Sequence, residues 1–106
     1  MDTRGIAGIT RHSEVSEKEI EKYLVRRCKE AGIPCLKYSN PGMVGYPDRL
    51  VVLPSATVVW VELKSLGRRP SKIQRCRIAE LERMGHRVFV ADSRSGIDEL
   101  IKILGL

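Results

Sequence analysis

A chain of 106 residues has room for one domain with one core, and its 42% hydrophobic content with only one Trp, three Tyr and one Phe limits that core to a modest aliphatic one. A net charge of +6 and a pI near 9.6 favour a polyanionic partner, nucleic acid first among them. Cys28, Cys35 and Cys76 are odd in number and lack ligand spacing, which argues against a disulfide framework or a zinc site, and neither a signal peptide nor a membrane-spanning apolar run is visible, so a reducing cytosol and no membrane partner are expected.

Residues 1–14 show no periodicity and contain Gly5 and Gly8, so they read as a flexible arm ahead of a single domain over 15–106. Ser16 followed by Glu19 forms a capping box, and Val15 with Ile20 has the spacing of a hydrophobic staple. A helix is therefore predicted from Glu17, with Ile20, Tyr23, Leu24, Cys28 and Ala31 at helical period and Gly32 as its stop. Extended segments follow at 33–39, 48–53 and 57–64, the first two separated by a turn-rich stretch and the last two by a turn at Pro54 and Ser55. The third segment is apolar on both alternating faces until Glu62, which predicts a central strand covered on both sides.

Pro70 and Ser71 open a second helix with Ile73, Cys76, Leu81 and Met84 on one side and Gly85 as its stop. A strand over 87–91 and a short helix over 96–104 complete the order α-β-β-β-α-β-α, an α/β domain with a small mixed sheet flanked by helices.

Glu62 and Lys64 are two apart on one strand, so their side chains leave the same face with Cα atoms roughly 6.5 Å apart. Asp48 opens the preceding strand and can stand beside the Glu62 end if the chain bends there. Two carboxylates suit a hard divalent ion, and a lysine beside them can orient water and offset charge developing on a phosphate. An acid-x-lysine triplet arises by chance about once in a chain this long. The weight lies in the order: Pro-Asp at a turn, a hairpin, then Glu-x-Lys at its second strand.

On those residues, Gly45-Tyr46-Pro47-Asp48 followed by Val61-Glu62-Leu63-Lys64 and by Gln74, the chain resembles the PD-(D/E)xK nuclease superfamily, and within it the virus-type replication-repair nuclease (VRR-NUC) domain, over residues 16–93. The resemblance implies a restriction-endonuclease-like core and metal-dependent DNA cleavage. It implies that Asp48 and Glu62 bind Mg²⁺ or Mn²⁺ with the Leu63 carbonyl as a further ligand, that Lys64 is catalytic and that Gln74 stands near the site. It further implies a homodimer acting on branched DNA such as four-way junctions.

The first helix is expected to add a glutamate. Glu19 is explained by the capping box, whereas Glu17 falls within the apolar stripe, where a metal-bound water or Lys64 gives a carboxylate a partner; Glu21, at the stripe's edge, is the reserve. Between positions 64 and 77 there are six cations and no acid, so Arg68, Arg69, Lys72 and Arg75 are expected to grip DNA phosphates. His12 and His86 read as surface residues and Trp60 as core packing, and the lack of spaced aromatics argues against a single-strand stacking platform. The rival readings are a non-catalytic DNA-binding module of the same fold, against which the intact Asp48, Glu62 and Lys64 speak, and a nuclease with another substrate.

Overall fold

The computed structural model describes residues 16–106, so the 1–14 arm, His12 and the Val15 half of the staple lie outside the described residues. The elements are helix α1 (Glu17–Glu30), strands β1 (Cys35–Lys37), β2 (Arg49–Leu53) and β3 (Thr57–Leu63), helix α2 (Lys72–Arg83), strand β4 (Arg87–Ala91) and helix α3 (Arg94–Ile103). This is the order the sequence predicts, with shorter strands.

Helix α1 begins where Ser16 Oγ accepts the Glu19 backbone N–H at 3.2 Å, the Ser16 half of the expected capping box. It ends at Gly32, whose φ of 72° allows its own N–H to reach the Lys29 carbonyl and that of Ile33 to reach Cys28. That turn sends the chain back into β1 and brings the free Cys28 thiol near Cys35, and Cys35 together with burial pushes the Cys28 thiol up.

Strands β1, β2 and β3 form an antiparallel meander, and β4 joins β3 in parallel after the α2 crossover, giving a mixed sheet of order β1-β2-β3-β4. Val59, Val61 and Leu63 leave one face of β3 and are fully buried with Ile20, Leu24, Cys28 and Ile97 under α1 and α3. Trp60, Glu62 and Lys64 leave the other face, toward α2. Cover on that face is partial: Val58 is 38% exposed, and Trp60 packs edge-on against Tyr38 and His86 and tilted against Tyr46.

Two expectations need correction. Helix α2 does not bury the predicted stripe, since Ile73, Cys76 and Met84 are exposed and only Leu81 is buried. Its inner side carries Gln74, Arg77, Ile78 and Leu81, one position further round, because this helix delivers polar side chains to the sheet and to the loop before β2. Helix α3 starts at Arg94 rather than 96, because Ser93 Oγ caps it by accepting the Gly96 N–H at 2.9 Å.

Candidate active site

The ladder between β2 and β3 pairs Arg49 with Val61. Continued by two residues, that register sets Pro47 opposite Leu63, and proline has no N–H to offer the Leu63 carbonyl. The ladder therefore stops there, and the Asp48 carboxylate replaces it: Asp48 Oδ2 accepts the Leu63 N–H at 3.0 Å, while the Asp48 carbonyl accepts the Tyr38 N–H. A Pro-Asp pair at this register thus anchors Asp48 beside the end of β3 and leaves the Leu63 carbonyl without its ladder donor from the β2 side.

Glu62 is the one buried charged residue of the described core, 1% exposed. Its Oε2 lies 3.4 Å from Lys64 Nζ and accepts a hydrogen bond from Gln74 Nε2 at 3.0 Å. Its Oε1 is buried with no hydrogen-bond partner among the described residues. An unpartnered buried carboxylate oxygen is costly unless a cation or donor occupies that side. Gln74 is itself fixed, because its Oε1 accepts the Ser71 N–H at 2.8 Å while Ser71 Oγ accepts the Gln74 N–H, a complete capping box at the start of α2.

Electrostatics agree with the geometry. Burial, reinforced by the Asp48 and then the Glu17 charge, pushes Glu62 up to about 7 despite the opposing Lys64 ammonium. The arrangement holds more negative charge than one lysine offsets, and a divalent ion beside Asp48 and Glu62 would reverse the excess. The donor set fits such an ion: two carboxylates, a buried oxygen without a partner and a backbone carbonyl released by proline. Among the described residues no three His, Cys, Asp or Glu groups are near enough to hold a metal by themselves, so the fit rests on that carboxylate pair plus backbone.

Glu17 does not point into the core as its place in the stripe suggests; it is exposed at the site's rim. There it lines a cleft of about 170 Å³ with Lys64, Ser65, Arg68 and Arg69. Partial burial and the Asp48 charge raise its pKa, and Lys64 opposes them. Glu21, the reserve, is committed elsewhere: its Oε2 accepts from Arg49 Nε at 2.8 Å and Lys37 Nζ at 3.0 Å. Burial pushes its carboxyl up, but those hydrogen bonds outweigh it and hold the pKa below the usual value. Glu19 is exposed and takes part in the cap through its backbone N–H, which Ser16 Oγ accepts, rather than through its carboxylate.

Of the basic stretch, Arg68, Arg69, Lys72 and Arg75 are exposed, with Arg75 also donating to the Pro70 carbonyl at 2.8 Å. Arg77 is not available in the same way, since it donates to the Val44 carbonyl and lies over the Tyr46 ring. The loop before Pro47, which the sequence marks only as turn-rich, adds a second wall to the site. Asn40 Oδ1 accepts the Gly42 and Met43 N–H groups, and Gly45, at φ 97°, lets the loop approach α2 so closely that a Cβ there would lie 2.8 Å from Ile73 Cγ1. The result is a second cleft of about 300 Å³, lined by Tyr38, Asn40, Met43, Tyr46, Asp48 and Gln74 among others. The Asn-Pro-Gly turn was the only sequence signal for it.

No family model matches the chain. It is 40% identical over 80 residues to "Putative nuclease p44" of Acyrthosiphon pisum secondary endosymbiont phage 1, a stretch covering 76% of this chain and 86% of that protein. A solved structure described as a "VRR_NUC domain" is similar with a TM-score of 0.76 at 32% identity, covering 81% of this chain and 94% of that one.

Proposed function

Because the chain belongs to the VRR-NUC nuclease family, we propose that it is a divalent-metal-dependent DNA endonuclease that cuts branched DNA, four-way junctions included, as a homodimer. The observation that carries the reading is Glu62: a buried carboxylate with one oxygen held by Lys64 and Gln74, the other without a partner, and Asp48 beside it.

Mg²⁺ or Mn²⁺, when bound, supplies Lewis-acid polarisation of the phosphate and a nucleophile at neutral pH. Asp48 and Glu62 would hold it, with the Leu63 carbonyl as a third donor. Lys64, 3.4 Å from Glu62 at a partly open strand end, presents its ammonium to the attacked phosphate and offsets the charge that develops there. Gln74 keeps the Glu62 carboxylate in one orientation, and Glu17, across the cleft from Lys64, is placed to orient a water. Arg68 and Arg69 bring the backbone to the cleft they line. Hydrolysis then leaves a 5′-phosphate and a 3′-hydroxyl. The junction and the dimer come from the family resemblance, and symmetry supports them: one small domain carries one site, and paired incisions need two sites related by a two-fold axis.

The test is incubation of the pure protein with labelled four-way, flap and linear DNA, in Mg²⁺ and in EDTA. Cleavage of junctions in Mg²⁺ and not in EDTA is the expected result; no cutting of any DNA in Mg²⁺ overturns the enzyme reading.

A further inference from the structure

Neither the core nor the site uses the outer face of α1. Lys18, Lys22, Arg26 and Lys29 are all exposed or half-buried there. At about 100° per residue they share one face, opposite Ile20, Leu24 and Cys28, and at about 1.5 Å per residue they run for roughly 16 Å. Two grooves flank this ridge, with Lys22 and Arg26 as the shared wall. One, of about 420 Å³, is also lined by Lys18, Val25, Lys29 and the Glu21–Arg49 ion pair, whose carboxylate is already neutralised by Arg49 and Lys37. The other, of about 370 Å³, is lined by Lys22, Tyr23, Arg26 and Arg94, with Glu19 its one carboxylate.

The second groove is organised. The guanidinium groups of Arg26 and Arg94 lie 5.0 Å and 5.8 Å from the centroid of the Tyr23 ring, which holds both side chains toward the same space. Tyr23 is fixed in turn, since its hydroxyl donates to Asp98 at 2.6 Å. Arg27 is spent differently, on Asp98 and the Tyr23 hydroxyl. Glu30 lies 3.8 Å from Arg26, but both side chains are more than 60% exposed, a screened pair that a phosphate displaces at little cost. The face is therefore a row of cations with few competing anions, and it starts beside Glu17, the residue that lines the Lys64 cleft.

We propose that Lys18, Lys22, Arg26 and Lys29, together with Arg94, form a second backbone-phosphate track that holds DNA on the α1 side of the incision site, while Arg68 and Arg69 hold it at the cleft. This rests on the DNA-nuclease reading above. With one charge per about 3.4 Å of each strand, a 16 Å ridge spans about five phosphates. DNA that ends at the cleft cannot reach it.

The test uses the full chain in EDTA, with binding followed by fluorescence anisotropy across a salt series. Lys22→Ala/Arg26→Ala/Arg94→Ala is expected to lower the log K against log salt slope by about 2.7, that is about 0.9 for each phosphate no longer neutralised, on a duplex of about 30 base pairs. The charge-retaining Lys22→Arg/Arg26→Lys/Arg94→Lys is expected to keep the wild-type slope, which separates charge from folding. An unchanged slope in the alanine variant, or an equal loss in the charge-retaining one, overturns the proposal. So does a variant that binds DNA normally but loses binding to vesicles containing anionic lipid. Binding in EDTA is independent of cutting, so absence of cleavage by the wild type would sink the nuclease reading without deciding this one.

Discussion

Gln74 ties the start of α2 to the buried carboxylate of β3: its Nε2 donates to Glu62 Oε2 at 3.0 Å while its Oε1 is held by the Ser71 N–H at 2.8 Å. One amide thus closes a helix cap and orients Glu62. Gln74→Ala is expected to lower cleavage and stability together. Gln74→Glu keeps an acceptor for Ser71 but sets another carboxylate against Glu62, so it is expected to cut more slowly than Gln74→Ala. Ser71→Ala is expected to cost about 1 kcal/mol, the typical worth of an N-cap, and to slow cleavage through Gln74. Thermal melts beside single-turnover rates check this; a Ser71→Ala protein that melts lower yet cuts at the full rate would separate the cap from the site.

Asp48→Asn and Glu62→Gln are expected to abolish metal-dependent cleavage while DNA binding in EDTA persists, because each removes carboxylate charge without touching the basic surface. Lys64→Ala is expected to lose at least about a hundredfold in rate, the scale for removing one positioned stabiliser of the transition state. If only the substrate affinity changes, Lys64 is a phosphate grip instead.

Glu62 also predicts how stability follows pH. It holds its proton to about pH 7 in the folded chain, against an ordinary 4.5. Between those values the folded state binds the extra proton, so the stability this residue contributes is full below pH 4.5 and is lost as pH rises through 7. The scale is on the order of 3 kcal/mol. In EDTA the melting temperature is expected to fall from pH 5 to pH 8, and Glu62→Gln is expected to flatten that fall. Mn²⁺ at pH 8 is expected to raise the wild-type value and leave Glu62→Gln unmoved. Parallel pH curves for the two proteins would show that Glu62 is ordinary.

Glu17, Glu19 and Glu21 separate by partner. Glu21→Gln leaves Arg49, whose side chain is 16% exposed, without its carboxylate, and is expected to cost about 1–3 kcal/mol in stability. Its cleavage rate is expected to change little. Glu17→Gln is expected to do the reverse, and Glu19→Gln to change neither. Urea unfolding and cleavage assays on the three proteins decide it, and equal activity in Glu17→Gln and wild type would remove Glu17 from the site.

For assembly, light scattering at micromolar concentration is expected to give about twice the 11.9 kDa chain mass. A mixed dimer with one Glu62→Gln subunit is expected to nick four-way junctions without resolving them. A monomer that cuts linear and branched DNA alike would sink the junction reading and leave the nuclease standing.

The sequence by itself determined the element order, the start of α1 and the shared face of Glu62 and Lys64. These depend on local rules: a serine cap, glycine and proline stops, and a period of two that puts Glu62 and Lys64 on one face. Tertiary structure decided the rest, because partners distant in sequence set it. Glu17 and Glu21 differ by one turn of the same helix, yet Arg49 and Lys37 claim one and the Lys64 cleft receives the other. The inner face of α2 moved by one residue because Gln74 and Arg77 answer to Glu62 and Val44, which no helical period in α2 encodes. The cations of α1 border an organised groove only because Arg94, far along the chain, lies over Tyr23.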